Sequence, residues 1–343
     1  AGINLEPNAD TAVRELAQNV VLTAGPGAGK TELLAQRADL LLRTGSCRYP
    51  RRILAISFKK YASRNLGERV RERCGPQLAS RLDSHTFHAF SRRLIDRYRV
   101  CLTGEDALDP DFTIGDSRIG TSQIRFNDMV PLALQILETS TTARNAVRQT
   151  YSHVFLDEFQ DCTNQQYKLI VAAFGTSDAT LTAVGDTKQR IMGWAGALEG
   201  IFETFGSDFD ATPLNLYQNF RSAPRLRRIQ NTMIKVMDPP AAVEDSRLLG
   251  EEGTAEVWSF DNEKDEAEGI TKQIRAWIET DGVVPFEIAI LVAKQPHLYA
   301  ARVIDALGAA GISVRNEGAL QDLSTEPLVR LIVDFVTTLA SES

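Results

Sequence analysis

The sequence predicts an α/β protein built on a doubly wound parallel sheet, and three observations carry that prediction. An apolar run, Val20-Val21-Leu22-Thr23, enters a turn of small residues and leaves it as a helix near Thr31. Three further short apolar runs, Arg52–Phe58, Val154–Leu156 and Leu181–Val184, are separated by stretches with helical spacing. Polar residues collect where these runs stop, which is where open parallel sheets hold their ligands.

In the first turn, Ala24, Gly25, Gly27, Ala28 and Gly29 are small enough for the backbone to fold round an anion with its N–H groups pointing inward. The following helix adds the positive end of its dipole. Lys30 would reach the β- and γ-phosphates of a nucleotide and the Thr31 hydroxyl would ligate Mg²⁺, as in the GxxxxGK[ST] pattern. Ala24 replaces the first glycine, so the match is partial. A plain strand-to-helix connection is the alternative; strand, loop and helix in the required order favour the phosphate cradle.

A helix is expected over residues 5–19, and a second over Glu32–Arg43, with Leu33, Leu34, Ala38, Leu41 and Leu42 spaced to pack on a sheet. Arg52–Phe58 reads as a buried parallel strand. Ala62–Cys74 reads as a basic helix stopped by Gly75-Pro76. Ser84–Phe90 is another strand-to-helix passage, residues 100–122 leave the core, and Phe126–Glu138 returns to helical periodicity. A second unit is expected from Leu214, with helices at 263–280, His297–Ala310 and Pro327–Leu339 and strands at Phe286–Ala293 and Ile312–Val314.

With 343 residues the chain exceeds the usual size of one domain, so two are expected. Cys47, Cys74, Cys101 and Cys162 lie too far apart for a zinc or disulfide framework and suit a reducing cytoplasm. No run approaches the ~18 apolar residues of a membrane span. The net charge of −7 conceals an asymmetry: Arg37 to Arg99 holds 16 Lys/Arg against 5 Asp/Glu. A polyanion meets the local field, although solvated helix faces would give the same composition.

Asp157-Glu158 closes the strand at Val154–Leu156, the place of a Mg²⁺-anchoring carboxylate in phosphoryl-transfer sites. Asp157 could oppose Thr31 on the cation, and Glu158 could take a proton from an attacking water. The block Asp157-Glu158-Phe159-Gln160-Asp161 resembles motif II of the UvrD/Rep group of superfamily 1 DNA helicases. The likeness continues in register. Ile53–Ala62 looks like motif Ia, His85–Phe90 like the next DNA-contacting motif, Val184–Ala197 like motif III, and Leu216–Ser222 like motif IV.

That resemblance implies a RecA-like ATP-binding domain over 1–213, with an accessory insertion at about 100–150, and the beginning of a second RecA-like domain over 214–343. It implies ATP and Mg²⁺ as cofactors, and 3′-to-5′ movement on single-stranded DNA or a 3′-tailed duplex. Gln189 would sense the γ-phosphate, Arg221 would act as an arginine finger, and Phe220 would stack on the base. Phe58, His88 and Trp194 would meet DNA. The sequence also departs from the family. Ala9 stands where a base-reading Gln is usual, Glu32 where an Arg is usual, and Met192 and Ala195 replace an aromatic and an Arg in motif III. No block resembles motifs V and VI, so the chain reads as the N-terminal part of a longer helicase. A nucleotide-gated DNA- or protein-binding module without unwinding activity is the alternative.

Overall fold

The computed structural model describes residues 6–189 and 196–316, except 238, 240, 241, 245 and 247, together with Ile332 and Phe335. Contacts divide the chain into two compact units, Ala1–Thr254 and Ala255–Ser343.

In the first unit, α1 (Pro7–Arg14) leads to β1 (Val20–Ala24), α2 (Lys30–Arg43), β2 (Arg52–Ser57), α3 (Lys60–Ala79), β3 (Leu82–Thr86) and α4 (Phe87–Tyr98). A small ribbon follows, β4 (Thr113–Gly115) with β5 (Gln123–Arg125), in the segment expected to leave the core. Then come α5 (Met129–Thr139), α6 (Thr141–Thr150), β6 (Tyr151–Asp157), α7 (Asn164–Phe174), β7 (Thr180–Gly185), α8 (Ile201–Asp208), β8 (Thr212–Leu216) and α9 (Pro224–Met237).

The main sheet runs β3-β2-β6-β7-β1-β8 with every pairing parallel. Side chains alternate between two cores. Val20, Leu22, Ile53, Ala55, Phe155 and Val184 pack with α1, α2 and α3, whereas Val21, Leu54, Ile56, Leu156 and Ala183 pack with α4 to α8. With both faces buried, a one-residue slip would exchange the two sets, so the register is strongly specified. That register pairs Thr23 with Gly185, Ala24 with Leu216, and Ser57 with both Asp157 and Thr86. The polar residues that follow these strands therefore emerge along one edge.

The helix ends follow local chemistry. Gly75, at φ +78°, breaks the α3 run just before Pro76, as the sequence predicts. Thr86 caps α4, and Thr163 and Gln166 cap α7 reciprocally. Leu214, the expected start of a second unit, lies in β8, which pairs with β1 at the sheet edge.

The second unit holds α10 (Glu263–Glu279), α11 (Pro296–Tyr299) and α12 (Ala301–Ala309) around Ala267, Ile274, Val303 and Leu307. Of the segments expected as strands, Phe286–Ala293 begins in a 3₁₀ turn, Pro285–Glu287, and neither its remainder nor Ile312–Val314 forms a strand. Neither has a neighbouring strand among the described residues, so no ladder forms, and Phe286 and Leu291 stay 85% and 93% exposed. The expected helix at Pro327–Leu339 lies outside the described residues except at Ile332 and Phe335.

Candidate active site

The site is assembled at the C-terminal edge of the sheet. After β1 the chain turns through Gly27 at φ +71° and Gly29 at φ +79°, and Ala28 N–H donates to Gly25 O at 3.2 Å. Gly29 is the N-terminal flanking residue of α2, which has no side-chain cap, so the first-turn N–H groups beside Lys30 and Thr31 remain available to an anion.

Two strands away, β6 delivers Asp157, only 3% exposed. Burial pushes its pKa up to about 7, and the neighbouring Glu158 charge adds to the rise. The Glu158 N–H, donated to Asp157 Oδ1 at 3.0 Å, and the Lys30 ammonium pull it back down. Lys30 and Asp157, far apart in sequence, thus share one electrostatic environment. A buried carboxyl so raised is short of positive charge. An oxygen-seeking divalent ion suits it, with Thr31 as second protein ligand and phosphate and water oxygens completing the shell. The residues fit Mg²⁺.

Glu158 sits at φ +51°, a left-handed geometry that costs a non-glycine residue about 1–3 kcal/mol. Its side chain is held in a relay. Gln160 Nε2 donates to Glu158 Oε2 at 2.8 Å, and Asp186 N–H donates to Gln160 Oε1 at 2.9 Å. Asp186, 1% exposed, then accepts from Lys188 N–H at 3.0 Å and from Gln189 Nε2 at 2.8 Å. Gly185 makes room: a Cβ there would stand 2.3 Å from Gln160 Oε1. Sequence reasoning named Glu158 and Gln189 and missed Gln160 and Asp186, which join them. The signal was available, since both follow buried strands in the register that placed Asp157.

Asn219–Arg221 lies directly on the glycine turn. Phe220 N–H donates to Gly27 O at 2.9 Å, and a Cβ on Gly27 would be 2.4 Å from Asn219 Oδ1 and 2.8 Å from Arg221 Cβ. Asn219 Oδ1 accepts the N–H groups of Arg221 and Ser222, each at 2.9 Å. The exposed Arg221 guanidinium has no ion pair among the described residues. A cavity of about 730 Å³ opens beside Gly25 and Pro26, lined by Glu6, Asn8, Tyr217 and residues of α9. Phe220, expected at the base, is 54% exposed and outside that lining; Tyr217 is within it.

Ala9 is buried among α1 and α2, and Glu32 accepts from Arg69 at 3.2 Å and from Arg73. Glu32 therefore ties α2 to α3, away from any nucleotide. Part of the basic excess is engaged within the fold: Arg52 pairs with Asp83 at 2.6 Å, Arg51 with the exposed Asp178 at 2.9 Å, and Arg37 is fully buried against the α1 carbonyls. Lys59 and Lys60 remain exposed next to half-buried Phe58. His88 stacks on Phe126 at 4.0 Å, and burial lowers its pKa. Phe126, 52% exposed, is an aromatic surface that sequence reasoning missed. Trp194, Met192 and Ala195 lie outside the described residues.

A strand, a glycine turn and an uncapped helix beside a buried strand-end aspartate define a P-loop nucleotide-binding protein with a RecA-like parallel sheet. The AAA domain family profile matches residues 9–195, more than half of the chain, so the chain belongs to that family, in its UvrD/Rep-like helicase branch. It is 26% identical over 339 residues to the ATP-dependent DNA helicase Rep of Escherichia coli, covering 80% of this chain and 50% of that one. A probable DNA helicase of Mycoplasma pneumoniae is 24% identical, over 81% of this chain and 65% of its own length. The ATP-dependent DNA helicase PcrA of Leuconostoc citreum is 23% identical, over 79% and 44%. The chain thus spans about half the length of most of these relatives. Among solved structures, Pif1 helicase from Candida albicans is similar with a TM-score of 0.40 and 14% identity, over 68% of this chain and 44% of that one.

Proposed function

We propose that the chain carries the nucleotide site of an ATP-dependent DNA helicase or translocase, moving 3′ to 5′ on single-stranded DNA or the 3′ tail of a duplex in the cytoplasm. The relatives' names support ATP and DNA, and the motif resemblance supports the direction. The observation that carries the reading is the continuous Glu158–Gln160–Asp186–Gln189 relay. It ties the acid that would accept a proton from water to the amide that would sense the γ-phosphate.

In this reading Lys30 and the turn N–H groups bind the β- and γ-phosphates. Thr31 and Asp157 would hold Mg²⁺, which when bound offsets phosphate charge. Glu158 orients and deprotonates the attacking water, with Gln160 fixing its carboxylate. Arg221 stabilises charge on the transferring phosphoryl group, an effect worth ~10³–10⁵ in rate. Residues 1–213 would act as the first domain, with an insertion at about 100–150, and the segment from 214 as the start of the second. The Phe220–Gly27 contact would then break and remake during turnover. Phe58, His88 and Trp194 would meet bases, each stacked base contributing ~1–3 kcal/mol.

The test is Mg²⁺-dependent ATP binding and phosphate release, with and without single-stranded DNA, for the chain and for Lys30→Ala. Lys30→Ala should weaken binding by about 10²-fold or more, the loss of a charge-assisted phosphate contact. Unchanged affinity would overturn the phosphate cradle. ATP binding that gates DNA affinity, with no DNA-stimulated phosphate release, would favour the binding module.

A further inference from the structure

The cavity beside the glycine turn has two unlike walls. On the N-terminal wall two side chains are tied to neighbouring backbone. The Glu6 carboxylate accepts the N–H groups of Tyr217 at 3.1 Å and Gln218 at 2.8 Å, and Asn8 Nδ2 donates to Asn215 O at 2.7 Å. Ala9 points into the core.

The opposite wall is α9, from which Arg227 and Gln230 line the cavity. Neither side chain has a hydrogen-bond or ion-pair partner among the described residues, and Arg227 Nε is buried with nothing to donate to. With no partner of its own among the described residues, the Arg227 side chain that lines the cavity can donate to an acceptor placed there. Tyr217 adds an aromatic ring to the lining. At about 730 Å³ the space is ample for a nucleoside, and it opens onto Gly25 and Pro26 of the phosphate turn.

We propose that this cavity is a nucleobase site read from α9, and that Arg227 and Gln230 make it accept a 6-oxopurine at least as well as adenine. The fork of an arginine matches the O6 and N7 acceptors of guanine or hypoxanthine, whereas adenine presents N7 beside an N–H donor. The proposal rests on the nucleotide-binding reading above and adds the identity of the base-reading residues.

The experiment is direct calorimetric binding of ATP, GTP and ITP, each with Mg²⁺, to the chain and to Arg227→Leu, Arg227→Lys and Gln230→Ala. GTP and ITP should bind alike, because both carry O6 and N7, and at least as tightly as ATP. Arg227→Leu should weaken GTP and ITP roughly 10- to 100-fold and ATP by several-fold less, since adenine offers Arg227 only N7. Arg227→Lys, which keeps the charge and loses the fork, should recover little of that loss. Circular dichroism and the melting temperature of each variant report that it is folded. Strict ATP preference, or an equal loss of all three nucleotides in Arg227→Leu, overturns the assignment of Arg227 while leaving the phosphate cradle standing. Failure of the unaltered chain to bind any of the three overturns both.

Discussion

Asp157 shows how function sets itself against stability at a single residue. Its folded pKa of about 7 lies above the ordinary carboxylate value of 3.8 because burial and the adjacent Glu158 disfavour its charge. The fold therefore favours the protonated form. That contribution is fully present below pH 3.8 and is lost as the pH rises through about 7, above which a charge sits buried. Asp157→Asn should accordingly melt higher than the unaltered protein at pH 8, by about 2 kcal/mol or roughly 4–8 °C, and the difference should shrink at pH 5. Melting curves at the two pH values without nucleotide test this; a pH-independent difference would mean that burial of charge is not the cause. Mg²⁺ with nucleotide should reverse the order, since the cation compensates Asp157 but has no use for an amide. The place of Asp157 at the end of a buried strand was legible in the sequence because an acidic pair followed an apolar run. The bonds through Gln160 and Asp186 were not, because they depend on which strands are neighbours.

At the scale of elements, the helices and strands with strong local punctuation were readable. β1, β2, β6 and β7 are short apolar runs, and α3 is broken at Gly75-Pro76 as its sequence dictates. α6 to α9 were not read, although Ser140 and the Thr163–Gln166 box are local start signals for α6 and α7. Phe286–Ala293 has the composition of a strand without a partner among the described residues, a case where composition cannot decide. Glu32 is instructive in another way: its significance lies in α3, on which Arg69 and Arg73 are 43% and 29% exposed. Glu32→Ala should remove the tie between α2 and α3 and leave two adjacent guanidiniums unpaired, at a cost of about 1–2 kcal/mol, reduced from a fully buried network by solvent screening. Urea unfolding should show that loss with unchanged m-value. A neutral result would make the pair an ordinary surface contact. Nucleotide affinity should change little, because the side chain faces α3.

At the scale of the whole chain, the described residues of the two units differ sharply in how much apolar surface they bury. In the first, two cores sandwich a six-stranded sheet, and Leu54, Ile56, Phe155 and Ala183 are fully inaccessible. Among the described residues of the second, the buried apolar positions are Ala267, Ile274, Ala300, Val303 and Leu307, while Val257 and Leu291 are 98% and 93% exposed. At roughly 25 cal/mol per Å² of apolar area buried, the second unit gains far less against its chain entropy. Local opening should then follow burial. Native-state hydrogen exchange should find the slowest amides in β1, β2, β6 and β7 and amides of α10 and α12 exchanging orders of magnitude faster, since each 1.4 kcal/mol of opening free energy is about tenfold in rate. Amides of α10 protected as strongly as those of β6 would mean that the second unit is stabilised by contacts beyond its own small core. Nucleotide addition sharpens the test. Ligand binding stabilises whatever must be folded to bind it. With every residue of the glycine turn, the Glu158–Gln189 relay and the Arg227 cavity in the first unit, added Mg²⁺ and nucleotide should slow exchange in β1, β6 and α9 and leave α10 and α12 at their original rates.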